Sequence, residues 1–246
     1  MWNRLAQVSF VLSLGTLTIW ATPIAVSGTG INVVSSVDQS WVITAIPAAE
    51  AALATPNGIP GQYNAYKTDT TGFPFMYWDS TSVPSGASFI SPRASYIDYS
   101  GDAPGYYDFT TTFLLDPSQS PAGAFLTFRV EVDNELLSVI LNGNTFDGST
   151  PSVFPSGVPS GFGTFSGPYT ISTGFVLGAN TLTFRVNNLD TGAADFKSNP
   201  VGLRVDISGD AATFTEAAAV PEPGTSALLG AGLLSISAFL KRPRKK

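Results

Sequence analysis

Between Ser27 and Ala219, polar and apolar side chains alternate with a period of two. Phe125 to Val132 (FLTFRVEV) puts Leu126, Phe128, Val130 and Val132 on one face and Thr127, Arg129 and Glu131 on the other. Thr181 to Val186 groups Leu182, Phe184 and Val186. Val201 to Ile207 groups Val201, Leu203, Val205 and Ile207, with Arg204 and Asp206 directed outward. Alternation of this kind predicts half-buried strands with one wet face. Ser40 to Ile46, Phe109 to Leu115 and Tyr169 to Val176 are further strand candidates. Leu137 to Leu141 is a largely apolar run ended by Asn142-Gly143, a pair that predicts a tight hairpin. Gly178-Ala179-Asn180 reads as a turn into the strand that follows it. Pro47 to Thr55 (PAAEAALAT) is the one helical candidate, and it is short. Pro155 to Gly167 (PSGVPSGFGTFSG) is too rich in Gly and Pro for regular structure and reads as a long loop or surface flap.

Many short strands punctuated by Gly and Pro predict an all-β fold, an antiparallel β-sandwich of jelly-roll type. No internal repeat and no break divides the middle, so residues 28–215 are expected to form one domain with Leu126, Phe128, Leu182, Phe184, Leu203 and Val205 in one core.

The pattern changes at both ends. Arg4 precedes an apolar run from Val8 to Trp20, and small residues follow at Ala21 and Ala25. A positive start, a short apolar stretch and small residues near a cut site predict a secretory signal peptide over residues 1–25, cleaved after Ala21 or Ala25. At the other end Thr225 to Leu240 (TSALLGAGLLSISAFL) is apolar and small, and Lys241 to Lys246 (KRPRKK) is basic. The apolar run predicts a transmembrane helix over 225–240, short enough to suit a thin bilayer. The basic cluster at 241–246 places that terminus in the cytoplasm. A linker over 216–224 joins helix and body, and its Pro221-Glu222-Pro223 holds the backbone stiff and extended.

Composition narrows the chemistry. The 246 residues include no Cys and no His, so the usual zinc sites and the usual acyl-transfer nucleophile–base pairs are excluded. Of 12 Lys and Arg, five lie in the last six residues and one is Arg4, against 18 Asp and Glu. A body this acidic repels phosphate backbones, which argues against a nucleic-acid partner.

Pro-Glu-Pro at 221–223, then a short apolar helix, then a basic C-terminus resembles the PEP-CTERM sorting signal of Gram-negative bacteria that make extracellular polysaccharide. The resemblance implies recognition of Pro221, Glu222 and Pro223 by an exosortase, a membrane sorting enzyme. The chain is then an inner-membrane precursor, later released or moved to the surface. These three residues would be acted upon, not catalytic. A second series, Val130 to Gly143, Leu177 to Asn188 and Asn199 to Val205, is similar to galactose-binding-domain-like jelly rolls. That class implies carbohydrate recognition and often a structural calcium ion, for which Asn187, Asn188, Asp190 and Asp195 offer oxygen donors. Solvated loop polars are the plainer reading of those four residues.

Sugars bind through C–H faces laid on flat rings, with carboxylates and amides taking the hydroxyls. Aromatic rings and Asp crowd into Phe73 to Asp79 and Tyr96 to Tyr107, so Tyr77, Trp78, Asp79 and Tyr107 are the carbohydrate-binding candidates. Against this stands packing of Tyr77 and Trp78 in the core. The expected function is a non-catalytic, exported surface or matrix protein whose body binds extracellular polysaccharide, with no cofactor. The alternative is a secreted glycan-acting enzyme built on two carboxylates from Asp98, Asp102, Asp108, Glu131, Asp133 and Glu135.

Overall fold

A computed structural model describes residues 19–97, 101–190, 192 and 199–214. Eleven strands form: β1 (Ile19–Pro23), β2 (Val33–Val34), β3 (Val37–Ala45), β4 (Tyr63–Lys67), β5 (Ile90–Ser91) and β6 (Gly105–Leu115), followed by β7 (Phe125–Leu141), β8 (Asn144–Asp147), β9 (Ser160–Ile171), β10 (Gly178–Asn188) and β11 (Gly202–Phe214). Every strand pairing with a defined register is antiparallel. Seven strands run in the order β11-β5-β4-β3-β6-β10-β7, and β7 pairs back onto β11. The sheet therefore closes on itself like a barrel, where the sequence led us to expect the two separate layers of a sandwich. Closure removes the free edges that a two-sheet sandwich leaves. Trp20–Thr213 make up the compact unit that contains this sheet.

The core follows the alternation. Leu126, Phe128, Leu182, Phe184, Leu203 and Val205 are all buried, as expected. Phe184 packs edge-on against Phe128 at 5.3 Å between centroids and tilted against Trp41 at 5.8 Å. The Asn142-Gly143 hairpin forms between β7 and β8, with both residues at positive φ (51° and 83°), the geometry that Asn-Gly favours. Asn142 also reaches sideways: its Nδ2 donates to Oδ1 of buried Asn180 at 2.7 Å.

Four local expectations are corrected. Pro155 to Gly167 is not all loop, because Ser160 onward is β9, an off-ring strand paired with β7. Its register against β7 shifts three times, which is how a Gly- and Pro-rich strand stays paired. Tyr169 to Val176 is strand only as far as Ile171. Pro47 to Thr55 contributes one 3₁₀ turn, Ala48–Glu50, with the turn continuing to Ala54 through bonds to the Glu50 carbonyl. Arg204 and Glu131, expected on a wet face, are buried. They do share a face, opposite one another on β11 and β7, but the chain at 79–87 and Phe165 cover it.

The segment expected as the end of a signal peptide contributes to the body. Ile19–Pro23 is β1, next to β11, and Ile24 is buried. The rest of that expected leader, the expected transmembrane helix at 225–240 and the basic tail at 241–246 lie outside the described residues. Among the described residues, no helix is long and apolar enough to cross a membrane.

Candidate functional site

Two clefts flank the segment Phe73–Ser82, which leaves β4 and crosses the covered face of β7 and β11. A wall of aromatic rings divides them. Trp78 stacks on Phe89 at 4.6 Å and tilts against Phe75 at 4.7 Å, with Phe162 of β9 packed against the cluster. Gly202 makes the wall fit: a Cβ there would stand 2.4 Å from the indole ring. The Trp78 Nε1–H donates to Oδ2 of Asp133 at 2.8 Å. Asp79 N–H donates to the Phe162 carbonyl at 3.0 Å, which ties the segment to β9.

The first cleft has a volume of about 180 Å³ and lies on the Trp78 side. Phe73 and Tyr77 stand at its mouth, 51% and 62% exposed, with their rings edge to face at 6.2 Å. Asp133, Asn134 and Asn199 supply its polar groups. Asp133 is buried, and burial pushes its carboxyl up to about 6 despite the indole hydrogen bond. Asn134 is fixed by donating to Asp133 Oδ1 and accepting from the Leu189 N–H at 2.8 Å. Exposed rings beside oriented amides and a carboxyl make a site able to hold a polyhydroxylated ligand.

The second cleft, of about 320 Å³, lies on the Phe89 side and is lined by Lys67, Asp79, Arg204 and a group of Ser and Thr hydroxyls. Arg204 is only 2% exposed and is spent on the wall. Its Nε donates to the Ala87 carbonyl at 3.1 Å, Nη1 donates to the Asp79 carbonyl at 3.0 Å and to Glu131 Oε2 at 2.9 Å, and Nη2 donates to the Thr81 carbonyl. Phe165 covers the guanidinium at 4.7 Å. Glu131 lies beneath the cleft, where burial pushes its acid up to about 7 against the pull of Arg204. A carboxyl at that value beside Asp79 can share one proton with it.

Of the four sequence candidates, the structure brings three to this segment, and they divide between the clefts. Tyr77 and Trp78 line the first and Asp79 the second. Trp78 is 3% exposed and both its faces are covered by phenyl rings, so it is a wall of the cleft and not a free platform. Tyr107 is elsewhere, fully buried in the main core, its hydroxyl donating to the Ala103 carbonyl at 2.8 Å. Burial and the acids Asp102 and Glu50 push its phenol far above the usual range. Of the calcium candidates, Asn188 turns inward to the Asp102 and Ala103 carbonyls, Asp190 caps the turn at Gly192, and Asp195 lies outside the described residues. Pro221, Glu222 and Pro223 also lie outside them. Sequence reasoning missed Phe162, Phe165, Asn134, Asn199 and Lys67. The aromatic residues interrupting the Gly-rich stretch at 162, 165 and 169 were the available signal for β9.

Comparison with known families decides the C-terminus. Residues 219–245 match the PEP-CTERM protein-sorting motif. The chain carries this sorting signal. The PEP-CTERM motif implies processing by an exosortase-type membrane enzyme, and with it an exported protein. No curated protein sequence matches the chain. Among solved structures, a rhamnosidase from Novosphingobium sp. PP1Y is similar over 79% of this chain and 16% of its own, with 15% identity and a TM-score of 0.32. At that score the likeness bears on neither fold nor activity.

Proposed function

We propose that the protein is an exported surface or extracellular-matrix component whose β-body, of galactose-binding-like type, binds extracellular polysaccharide without catalysis. Its PEP-CTERM tail would hold the precursor in the inner membrane of a Gram-negative cell until the sorting enzyme acts. The observation that carries the binding reading is the Trp78 cleft. Two exposed rings, Phe73 and Tyr77, stand over a pocket whose carboxyl and amides are already oriented by hydrogen bonds. A pyranose laid on either ring would present its hydroxyls to Asn134, Asn199 and Asp133. The test is affinity electrophoresis in gels containing neutral and acidic polysaccharides, comparing wild type with Tyr77→Ala and Phe73→Ala. Retardation that both substitutions weaken supports the reading; no retardation on any glycan removes it.

One observation favours the second reading, a glycan-acting enzyme: Glu131 is an acid raised to about 7 next to Asp79. Glu131 is fully buried under Arg204, though, and only Asp79 lines the cleft. Release of reducing sugar by the wild type but not by Glu131→Gln would favour this second reading.

A further inference from the structure

Among the described residues, four arginines are committed to carboxylates. Arg93 pairs with Glu50, Arg129 with Asp206, Arg185 with Asp108, and Arg204 with Glu131 and Asp79. Lys67, the last residue of β4, is exposed and makes no ion pair among them. Among the described residues it is therefore the cation that no carboxylate engages, and it lines the larger of the two clefts.

The remaining lining suits a hydroxylated ligand. Thr70, Ser80, Ser82 and Ser88 bring hydroxyls to the cleft. Asp79, the carboxylate among the lining residues, is neutralised where it stands by Arg204 and by the N–H and hydroxyl of Thr81. Arg204 in turn is consumed by the carbonyls of Asp79, Thr81 and Ala87, so it fixes the wall and leaves Lys67 as the cation a ligand meets. A single ammonium among hydroxyls suits one monovalent carboxylate. Sulfate and phosphate groups are more often met by arginine forks or clustered backbone N–H groups.

The cleft also adjoins the aromatic site. Phe89 lines it, and the other side of the Phe89–Trp78 stack is the cleft beneath Tyr77. A chain of sugars crossing this wall would have one residue on each side. We propose that the Lys67 cleft is a subsite for a uronic-acid residue, its carboxylate taken by the Lys67 ammonium and its hydroxyls by the Ser and Thr rim. The assignment rests on the polysaccharide-binding reading above and names the class of polysaccharide it takes.

The experiment measures binding of the full-length chain, in detergent, to polygalacturonate and to neutral dextran, for wild type, Lys67→Gln and Tyr77→Ala. Wild type should prefer polygalacturonate, and Lys67→Gln should lose about ten-fold on that polymer, the usual effect of losing a charge-assisted contact, while dextran binding stays the same. Tyr77→Ala should weaken both. Monomeric galacturonate should compete with the polymer, whereas acetate at equal ionic strength should not. Equal competition by acetate would show a general anion site and overturn the uronate assignment. Unchanged polygalacturonate affinity in Lys67→Gln, with Tyr77→Ala still weakening binding, would overturn the subsite alone. If wild type bound neither polymer, the parent reading would fall together with it.

Discussion

The indole nitrogen of Trp78 donates to Oδ2 of Asp133 at 2.8 Å, and this bond joins the 73–82 segment to the covered face of β7. The ring packs between Phe75 and Phe89, and its edge sits on the bare backbone of Gly202. Trp78→Ala should therefore cost about 3–5 kcal/mol in urea denaturation, the usual range for losing a large buried ring. Trp78→Phe should cost about 1–3 kcal/mol, because it leaves Oδ2 of the buried Asp133 carboxyl without its donor. Tyr77→Ala, one residue away but exposed, should change stability by no more than about 0.5 kcal/mol.

A second expectation concerns pH. Asp133 and Glu131 are raised by burial to about 6 and about 7 in the folded protein. Between their unfolded values near 4 and these folded values, the native state binds protons that the unfolded chain has lost. Their contribution to stability is therefore full below pH about 4 and disappears as pH rises through 6 and 7. Asp69, Asp116 and Asp147 act in the opposite sense. Each is lowered by the hydroxyl of the Ser or Thr two residues on, so its contribution is lost as pH falls below about 4. Maximum stability should lie at mildly acidic pH, with a decline of about 1–3 kcal/mol between pH 5 and pH 8. Glu131→Gln keeps an acceptor for Arg204 but cannot ionise, so it should remove at least half of that decline.

Asn180 provides a third test. It is fully buried, and its amide is fully used: Oδ1 accepts from the Val176 N–H at 2.9 Å and from Asn142 Nδ2, while Nδ2 donates to the Val176 and Gly178 carbonyls. Asn180→Ala should cost about 2–3 kcal/mol, because it removes four hydrogen bonds at once, three of them to the backbone of Val176 and Gly178 where the chain enters β10. Asn32→Ala, at an exposed position with one 3.3 Å contact to Ser40, should cost under about 0.5 kcal/mol in the same denaturation series.

The alternation in the sequence was enough to place β3, β6, β7, β10 and β11, and the inward faces of β7, β10 and β11, because a period of two is a local property. It even put Arg129 and Glu131, and Arg204 and Asp206, on shared faces, and the ladder sets Arg204 opposite Glu131 and Asp206 opposite Arg129. What covers a face is not local. The 79–87 segment and Phe165 come from far along the chain and turn an expected wet face into a buried ion network. Closure of the sheet is hidden for the same reason, since one side of β5 joins β11 through only the Leu203–Ile90 pair. Tyr107 was misplaced although the pattern held the answer. Tyr107, Phe109, Phe113 and Leu115 occupy odd positions on one face of β6, and all four are buried. The first part of β9, from Ser160 to Gly167, escaped notice because Gly and Pro weaken strand propensity, a penalty that a strand outside the closed ring with shifting register tolerates.

Export by the PEP-CTERM tail is the claim on which the functional account depends. Pro221, Glu222 and Pro223 fall within the matched residues 219–245. Membrane fractionation with intact-mass analysis, in cells with and without exosortase, tests it most directly. The full-length chain should accumulate in the inner membrane when the enzyme is missing, and a shorter species should appear outside when it is present. Glu222→Ala should reproduce the enzyme-deficient pattern while leaving the unfolding transition of the body unchanged. The same mass and the same location with and without the enzyme would contradict the account.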